Sequence, residues 1–93
     1  MSEKQLRKLD AWIAEHVFGF DMAKTSVDDI EHYTTDPAEA MQVLEELLIL
    51  HNGEPFEIWR GGSGMWHLGK SKAETLPLAI CLFAKELFAK EEK

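Results

Sequence analysis

The chain has 93 residues, of which 45% are hydrophobic and 29% charged, and its formal net charge is −7. This length and composition fit one globular domain over residues 1–93 rather than a disordered segment. A single cysteine, Cys81, excludes an intramolecular disulfide and a cysteine-rich zinc site. The charged start of the chain is unlike a signal peptide, and no run reaches the ~20 apolar residues of a membrane span. We therefore expect a cytoplasmic protein that does not associate with membranes.

Residues 3–18 show the spacing of an amphipathic helix, with Ser2 as a cap and Gly19 as a stop. Its apolar positions recur every three or four residues, at Leu6, Leu9, Ile13 and Val17, flanked by Trp12 and His16. Its polar positions are expected to face water, namely Lys4, Arg7, Lys8, Asp10 and Glu15. Residues 20–34 leave two alternatives open, a capped helical turn at Ser26–Asp29 and a short edge strand at Ile30–Thr34.

The central helix is predicted between Thr35 and Gly53. Asp36 can cap it, Pro37 suits its first position, and Asn52-Gly53 can end it. Its buried stripe is predicted to contain Ala40, Met41, Leu44, Leu47, Leu48 and His51.

A β-hairpin is predicted next, with strands over 55–60 and 65–69 joined by the Gly-Gly-Ser-Gly turn at 61–64. A symmetric turn of two or four residues would place Trp59 opposite Trp66, on one face with Glu57 and Leu68. The opposite face would carry Phe56, Ile58, Met65 and His67. Because both faces are largely apolar, the sheet is expected to need cover on each side or to leave one face for a partner.

The last predicted helix runs from Thr75 to about Lys90. Its apolar stripe is broad, which indicates burial on more than one side, either against two elements or across a subunit interface. The predicted fold class is therefore α+β, with three helices packed on a small antiparallel β-sheet as an α-β-α sandwich. Since three helices leave apolar surface uncovered, we also expect a homo-oligomer.

Three segments resemble the phage ABA sandwich domain family of phage and prophage proteins. They are Leu9-Asp10-Ala11-Trp12-Ile13-Ala14-Glu15-His16-Val17-Phe18-Gly19, Tyr33-Thr34-Thr35-Asp36 and Thr75-Leu76-Pro77-Leu78-Ala79-Ile80-Cys81. Thr34 stands where the family usually has Ser, and Leu78 where it usually has Glu. The connection from Gly19 to Tyr33 is shorter than is usual in the family. The resemblance implies an α-β-α fold and a phage or prophage origin, but it implies no activity and no catalytic residue.

The acidic residues are concentrated in one part of the sequence. Between Lys24 and Arg60 there are nine carboxylates and no Lys or Arg. A candidate partner-binding acidic surface is formed by Asp28, Asp29, Glu31, Glu45, Glu46, Glu54 and Glu57. Such a surface repels nucleic acid and can engage a basic host or defence protein, whereas acidity for solubility alone is the simpler alternative.

The hairpin is the second candidate site. It combines cationic side chains, backbone amides of the turn and two indole rings, which are the groups that hold a phosphate and stack a base. The candidate residues for a small nucleotide are Trp59, Arg60, Gly61, Gly62, Ser63, Gly64, Trp66, Lys70 and Lys72. The alternative is an ordinary turn beside a Trp–Trp core pair.

No sequence pattern indicates catalysis. There is no nucleophile elbow, no phosphate-binding loop motif and no histidine pair at metal-ligand spacing. Asp28, Asp29 and His32 are interpreted as a solvated loop rather than a metal site, and Cys81 as a buried apolar residue. We therefore expect a protein that is not an enzyme and needs no cofactor. Its expected role is inhibition of a host or defence protein, with nucleotide sequestration or a structural role in the phage as alternatives.

Overall fold

The computed structural model describes residues 2–50, 57–69 and 71–91, with side chains through residue 88. Three helices and three short strands occur in this part of the chain. In chain order they are α1 (Glu3–His16), α2 (Pro37–Leu50), β1 (Ile58–Arg60), β2 (Trp66–Leu68), β3 (Ser71–Ala73) and α3 (Leu76–Glu91). A 3₁₀ turn at Val27–Asp29 lies between α1 and α2. The predicted α+β class, with three helices and a small antiparallel sheet, is confirmed.

Helix α1 begins at a capping box that joins Ser2 and Gln5. The Ser2 hydroxyl accepts a hydrogen bond from the Gln5 amide (3.3 Å), and the Gln5 side chain accepts one from the Ser2 amide (2.9 Å). The predicted apolar stripe is buried at Leu9, Ile13 and Val17. The expectation that Asp10 faces water is wrong, because its side chain is 1% exposed and forms an ion pair with Arg7. Arg7 is also mostly buried, with 18% of its side chain exposed.

The segment from Ser26 to Thr34 adopts the first of its two predicted alternatives. The Ser26 hydroxyl accepts a hydrogen bond from the Asp28 amide (3.2 Å) and caps the 3₁₀ turn. The alternative strand at Ile30–Thr34 does not form. Ile30 and Tyr33 are instead buried in the core, while the residues between them are exposed.

Helix α2 begins as predicted, with the Asp36 carboxylate accepting a hydrogen bond from the Ala38 amide (2.9 Å). Its buried residues are Ala40, Val43, Leu44 and Leu47. The prediction that Met41 and Leu48 are buried is wrong, since 45% and 40% of these residues are exposed. The buried stripe is rotated towards Val43, which leaves Met41 and Leu48 at its margin. The predicted end of the helix at His51–Gly53 lies outside the described residues.

Helix α3 is the central element of the fold. Its first turn is capped by the Thr75 hydroxyl, which accepts a hydrogen bond from the Leu78 amide (3.4 Å). The helix packs against α1 and α2 and also against β2 and β3. Its buried residues accordingly lie on several sides, at Ala79, Ile80, Cys81, Phe83 and Ala84. The broad apolar stripe is therefore explained by packing against two sets of elements within one chain.

The sheet is antiparallel, in the order β1-β2-β3. Trp59 pairs with His67 and Arg60 pairs with Trp66, so the predicted pairing of Trp59 with Trp66 is wrong. The turn holds three residues, because the Gly61 amide donates to the Met65 carbonyl (2.8 Å) and the Gly64 amide donates to the Gly61 carbonyl (2.9 Å). Gly64 has φ +85°, as this turn and its bulge require. Because the loop has three residues and not two or four, each β1 residue lies opposite a β2 residue one position away from the predicted one. Trp59 therefore shares a face with His67 and not with Trp66.

The two faces of the sheet have different environments. Leu68 and Ala73 are buried on the inner face, which packs on α3 and also carries Ile58, Arg60, Trp66 and Ser71. The outer face carries Trp59, His67 and Lys72, and the described residues leave Trp59 50% exposed there. Of the two predicted alternatives, cover on both faces or one face left open, the described part of the chain shows the second. The third strand, β3, was not predicted, while Pro55, Phe56 and Lys70 lie outside the described residues.

Candidate functional site

The acidic surface is positioned by a polar connection between α1 and the segment from Val27 to Glu31, which begins with the 3₁₀ turn. Arg7 donates to the Asp10 carboxylate (2.8 Å) and to the carbonyls of Val27, Ile30 (3.2 Å) and Glu31 (3.2 Å). One guanidinium therefore binds three backbone carbonyls of this segment. Because a guanidinium has five N–H donors in a fixed planar arrangement, it can hold these carbonyls in a defined geometry.

Asp10 completes this connection from the core side. Its second carboxylate oxygen accepts a hydrogen bond from the Thr34 amide (2.8 Å). Both oxygens of a nearly inaccessible carboxylate are thus used, one by Arg7 and one by the backbone. A buried charge that is paired and hydrogen-bonded in this way is tolerated, whereas an unpaired one is strongly destabilising. The chain from Val27 to Thr34 is consequently fixed to α1 at both of its ends.

The residues of the predicted acidic surface are distributed over three elements. Asp28 and Asp29 are exposed on the 3₁₀ turn, and Glu31 is exposed just after it. Glu45 is exposed and Glu46 half-buried on α2, and Glu57 is exposed before β1, whereas Glu54 lies outside the described residues. In the described part of the chain, none of these carboxylates takes part in an ion pair.

Asp36 and Glu39, at the start of α2, are not among the residues predicted for the acidic surface, although they lie near one that is, Glu31. Partial burial and the nearby carboxylates of Glu31 and Asp36 raise the pKa of Glu39 above its usual value. Burial, followed by the charges of Glu31 and Glu39, raises the pKa of Tyr33 to about 12. We call Glu31, Asp36 and Glu39 the carboxylate cluster. Its signal in the sequence is the spacing of Asp36 and Glu39, which places Asp36 at the cap and Glu39 in the first turn of a helix.

The hairpin residues do not converge on one face of the sheet. The Arg60 side chain lies on the inner face, 5.9 Å from the centre of the Trp66 ring, and its Nε donates to the Gly64 carbonyl (3.3 Å). Trp59 and Lys72 lie on the outer face. The predicted phosphate-binding arginine and the exposed indole are therefore on opposite sides of the sheet.

Trp59 stacks on His67, with ring centres 3.9 Å apart and planes inclined by 2°. Gly62 and Ser63 are exposed at the tip of the turn, and Gly61 and Gly64 are half-buried beside it. The remaining candidate, Lys70, lies outside the described residues. The groups that the structure places together on the outer face are thus an indole, an imidazole and an ammonium group.

Cys81 is buried within α3 and close to the carboxylate of Asp10. Burial, and then the Asp10 charge, raise the pKa of the Cys81 thiol well above its usual range. Residues 2–50, 57–69 and 71–91 contain no group of three or more acidic, histidine or cysteine side chains placed to hold a metal ion. Within the same residues, no helix is both long enough and apolar enough to cross a membrane.

Comparison with protein families, with characterised proteins and with solved structures finds no match to this chain.

Proposed function

We propose that this protein is a non-enzymatic phage or prophage accessory protein that acts by binding. In this proposal the acidic surface and the carboxylate cluster engage a basic surface on a host or defence protein in the host cytoplasm. The phage origin comes from the resemblance of three sequence segments to the phage ABA sandwich domain family. The binding role comes from the arrangement of charge.

The observation that carries the proposal is the electrostatic state of Glu39. Its pKa is raised first by partial burial and then by the charges of Glu31 and Asp36, so both of these carboxylates repel that of Glu39. None of the three has an ion-pair partner among the described residues. A basic partner would relieve this repulsion, and opposite charges would also accelerate association. Arg7 supports the site, because it fixes the backbone carbonyl of Glu31 (3.2 Å).

The experiment uses the purified protein as bait in host-cell lysate, at low and high salt, with two matched double variants. Glu31→Gln/Glu39→Gln removes two charges from the carboxylate cluster. Glu3→Gln/Glu15→Gln removes two charges from exposed positions of α1. We expect one basic protein to be captured at low salt by wild type and by the α1 variant, with binding to the cluster variant weakened about tenfold.

Capture that is equal for both variants, or that persists at high salt, would contradict the proposal. Recovery of virion proteins from a lysate of phage-infected cells would instead favour the structural alternative.

A small nucleotide at the hairpin is the second candidate function, and the exposure of Trp59 favours it. A base would stack on the face of the Trp59 indole that His67 does not cover, at the β1 edge of the outer face. Calorimetric titration with mono-, di- and cyclic nucleotides tests this, with Trp59→Ala as the variant and Trp12→Ala as the control. If no nucleotide binds with a dissociation constant below about 1 mM, which corresponds to roughly 4 kcal/mol of binding free energy, this candidate function is excluded.

A further inference from the structure

The edge strand β3 carries backbone groups that its own sheet does not use. The Gly61 amide donates to Met65, and hydrogen-bonded pairs alternate along an antiparallel ladder, so Trp59 and His67 exchange backbone hydrogen bonds. The backbone groups of Trp66 and Leu68 therefore point towards β3, where they meet Ala73 and Ser71. It follows that the amide and carbonyl of Lys72 point away from the sheet.

The side chains at this edge are charged, exposed and without an ion-pair partner in the described part of the chain. Lys72 is the middle residue of β3, and Glu74 directly follows the strand. Ala73, which is 3% exposed, lies between them and faces α3. The sequence of the edge is therefore cation, small apolar residue, anion.

This pattern is complementary to itself when two copies run antiparallel. A two-fold axis at Ala73 places Lys72 of each copy opposite Glu74 of the other, and Ala73 opposite Ala73. In the same register, the outward-pointing backbone groups of Lys72 meet those of Glu74 in the second copy, the residue that directly follows β3. Opposite charges that face one another directly across two strands stabilise the pairing.

An apolar groove of about 460 Å³ runs beside the edge and supplies further contact area. Its apolar walls come from α1, β3, α3 and the residue that precedes β2, and they consist of Leu6, Met65, Ala73, Leu78 and Leu82. Thr34 also lines the groove, and its buried hydroxyl has no hydrogen-bond partner among the described residues. Burial of half-exposed leucines at such a groove is the main favourable term in association.

The other edge strand, β1, lacks this complementarity. Pairing two copies of β1 about Trp59 would place Arg60 opposite Ile58, so neither charge would meet an opposite one. Charges on an edge strand oppose unspecific pairing, and they permit pairing with an edge that carries complementary charges. The two edges are therefore not equivalent as interfaces.

We propose that the protein forms a homodimer through antiparallel pairing of β3 with β3 of a second copy. The dimer contains a six-stranded sheet, with cross-strand Lys72–Glu74 ion pairs on its outer face and the two grooves covered on its inner face. This interface does not use the acidic surface, so the dimer and the proposed function can be tested independently, and the failure of one does not contradict the other.

Sedimentation equilibrium on charge-reversed variants tests the proposal. Lys72→Glu and Glu74→Lys each place like charges opposite one another twice in the dimer, and each is expected to weaken the dimer at least tenfold. The double variant Lys72→Glu/Glu74→Lys restores opposite charges and is expected to return the dissociation constant to within about threefold of wild type. Lys4→Glu, an exposed reversal on α1, is the control and should leave association unchanged.

Thermal unfolding of each variant confirms that it is folded before its association is interpreted. A wild-type monomer at tens of micromolar would overturn the proposal. So would a dimer that tolerates either single reversal, because the interface would then lie elsewhere. Weakening by both single variants without rescue in the double variant would overturn the proposed register.

Discussion

Asp10 in α1 accepts a hydrogen bond from the backbone amide of Thr34, 24 positions later in the chain, at 2.8 Å. With Arg7 on its other oxygen, Asp10 connects the first helix to the loop that carries the acidic residues. Asp10 also lies near Cys81 of α3, since its charge contributes to the raised pKa of that thiol. Asp10, Thr34 and Cys81 thus connect three separate parts of the chain, and their roles here are structural.

The first prediction concerns this connection. Asp10→Ala removes the partner of a mostly buried guanidinium and of a buried amide, so we expect unfolding to require about 3–5 kcal/mol less free energy. Asp10→Asn keeps an acceptor for Thr34 and should cost less. Urea denaturation measures both, with Glu15→Ala on the exposed side of α1 as the control, expected within about 0.5 kcal/mol of wild type. An Asp10→Ala protein as stable as the control would show that the connection is dispensable.

A second prediction tests which side of α2 is buried. Leu47 is 0% exposed and its neighbour Leu48 is 40% exposed. Leu47→Ala should therefore cost about 2–5 kcal/mol, and Leu48→Ala less than about 1 kcal/mol. Equal losses, measured by denaturant unfolding, would mean that the stripe is centred as the sequence predicted.

The third prediction concerns Gly69, which connects β2 to the residues before β3. Its φ is +56°, and a Cβ built there would lie 2.8 Å from a ring carbon of Phe83. Gly69→Ala therefore combines a strained backbone with a steric clash against the core, at a cost of about 2 kcal/mol or more. Gly62→Ala, where no atom lies within 4 Å, is the matched control. Similar melting temperatures for the two variants would be incompatible with this packing.

The fourth prediction is a loss of stability at alkaline pH. Burial raises the pKa of the Cys81 thiol and raises the pKa of Tyr33 to about 12. In the unfolded chain the thiol loses its proton from about pH 8.5 and the phenol from about pH 10, whereas the native state keeps both protons at these pH values. The unfolded state then binds fewer protons, and stability falls as the pH rises through this window. For Cys81 the slope is at most about 1.4 kcal/mol per pH unit.

Cys81→Ala is expected to flatten the dependence between about pH 8.5 and 10, where unfolded thiols titrate first. Native wild type should also resist thiol reagents until it is unfolded. Rapid labelling of the folded protein at neutral pH would argue against the buried position of the thiol.

The helices could be predicted from sequence because their signals are local. Ser, Thr and Asp are preferred as helix caps, and the structure has such caps at Ser2, Asp36 and Thr75. The spacing of three to four residues likewise identifies Leu9 and Ile13 as core residues. The burial of Asp10 could not be predicted, because a carboxylate on a helix surface is normally solvated. Its partner, the Thr34 amide, is distant in sequence and is identified by tertiary structure alone.

The sheet was less predictable. One residue of loop length decides which face a strand presents, and the sequence 61–64 allows two-, three- and four-residue turns. Strand β3, with Ser71, Lys72 and Ala73, lacks the branched and aromatic residues that indicate strands, so pairing with β2 overrides its propensity. Among the site residues, Trp59 and Arg60 both belong to the hairpin, but adjacent strand residues point to opposite faces, which separates their side chains in the structure.

The central position of α3 has a consequence for synthesis. This helix follows every element against which it packs, so a nascent chain that has extended through β3 still lacks the surface on which α1, α2 and the sheet are assembled. The contacts of α3 with α1, α2 and the sheet therefore form only after α3 has left the ribosome. Until then the apolar sides of the earlier elements are exposed to solvent. A chaperone that covers exposed apolar surface is therefore expected to protect this chain until α3 is complete.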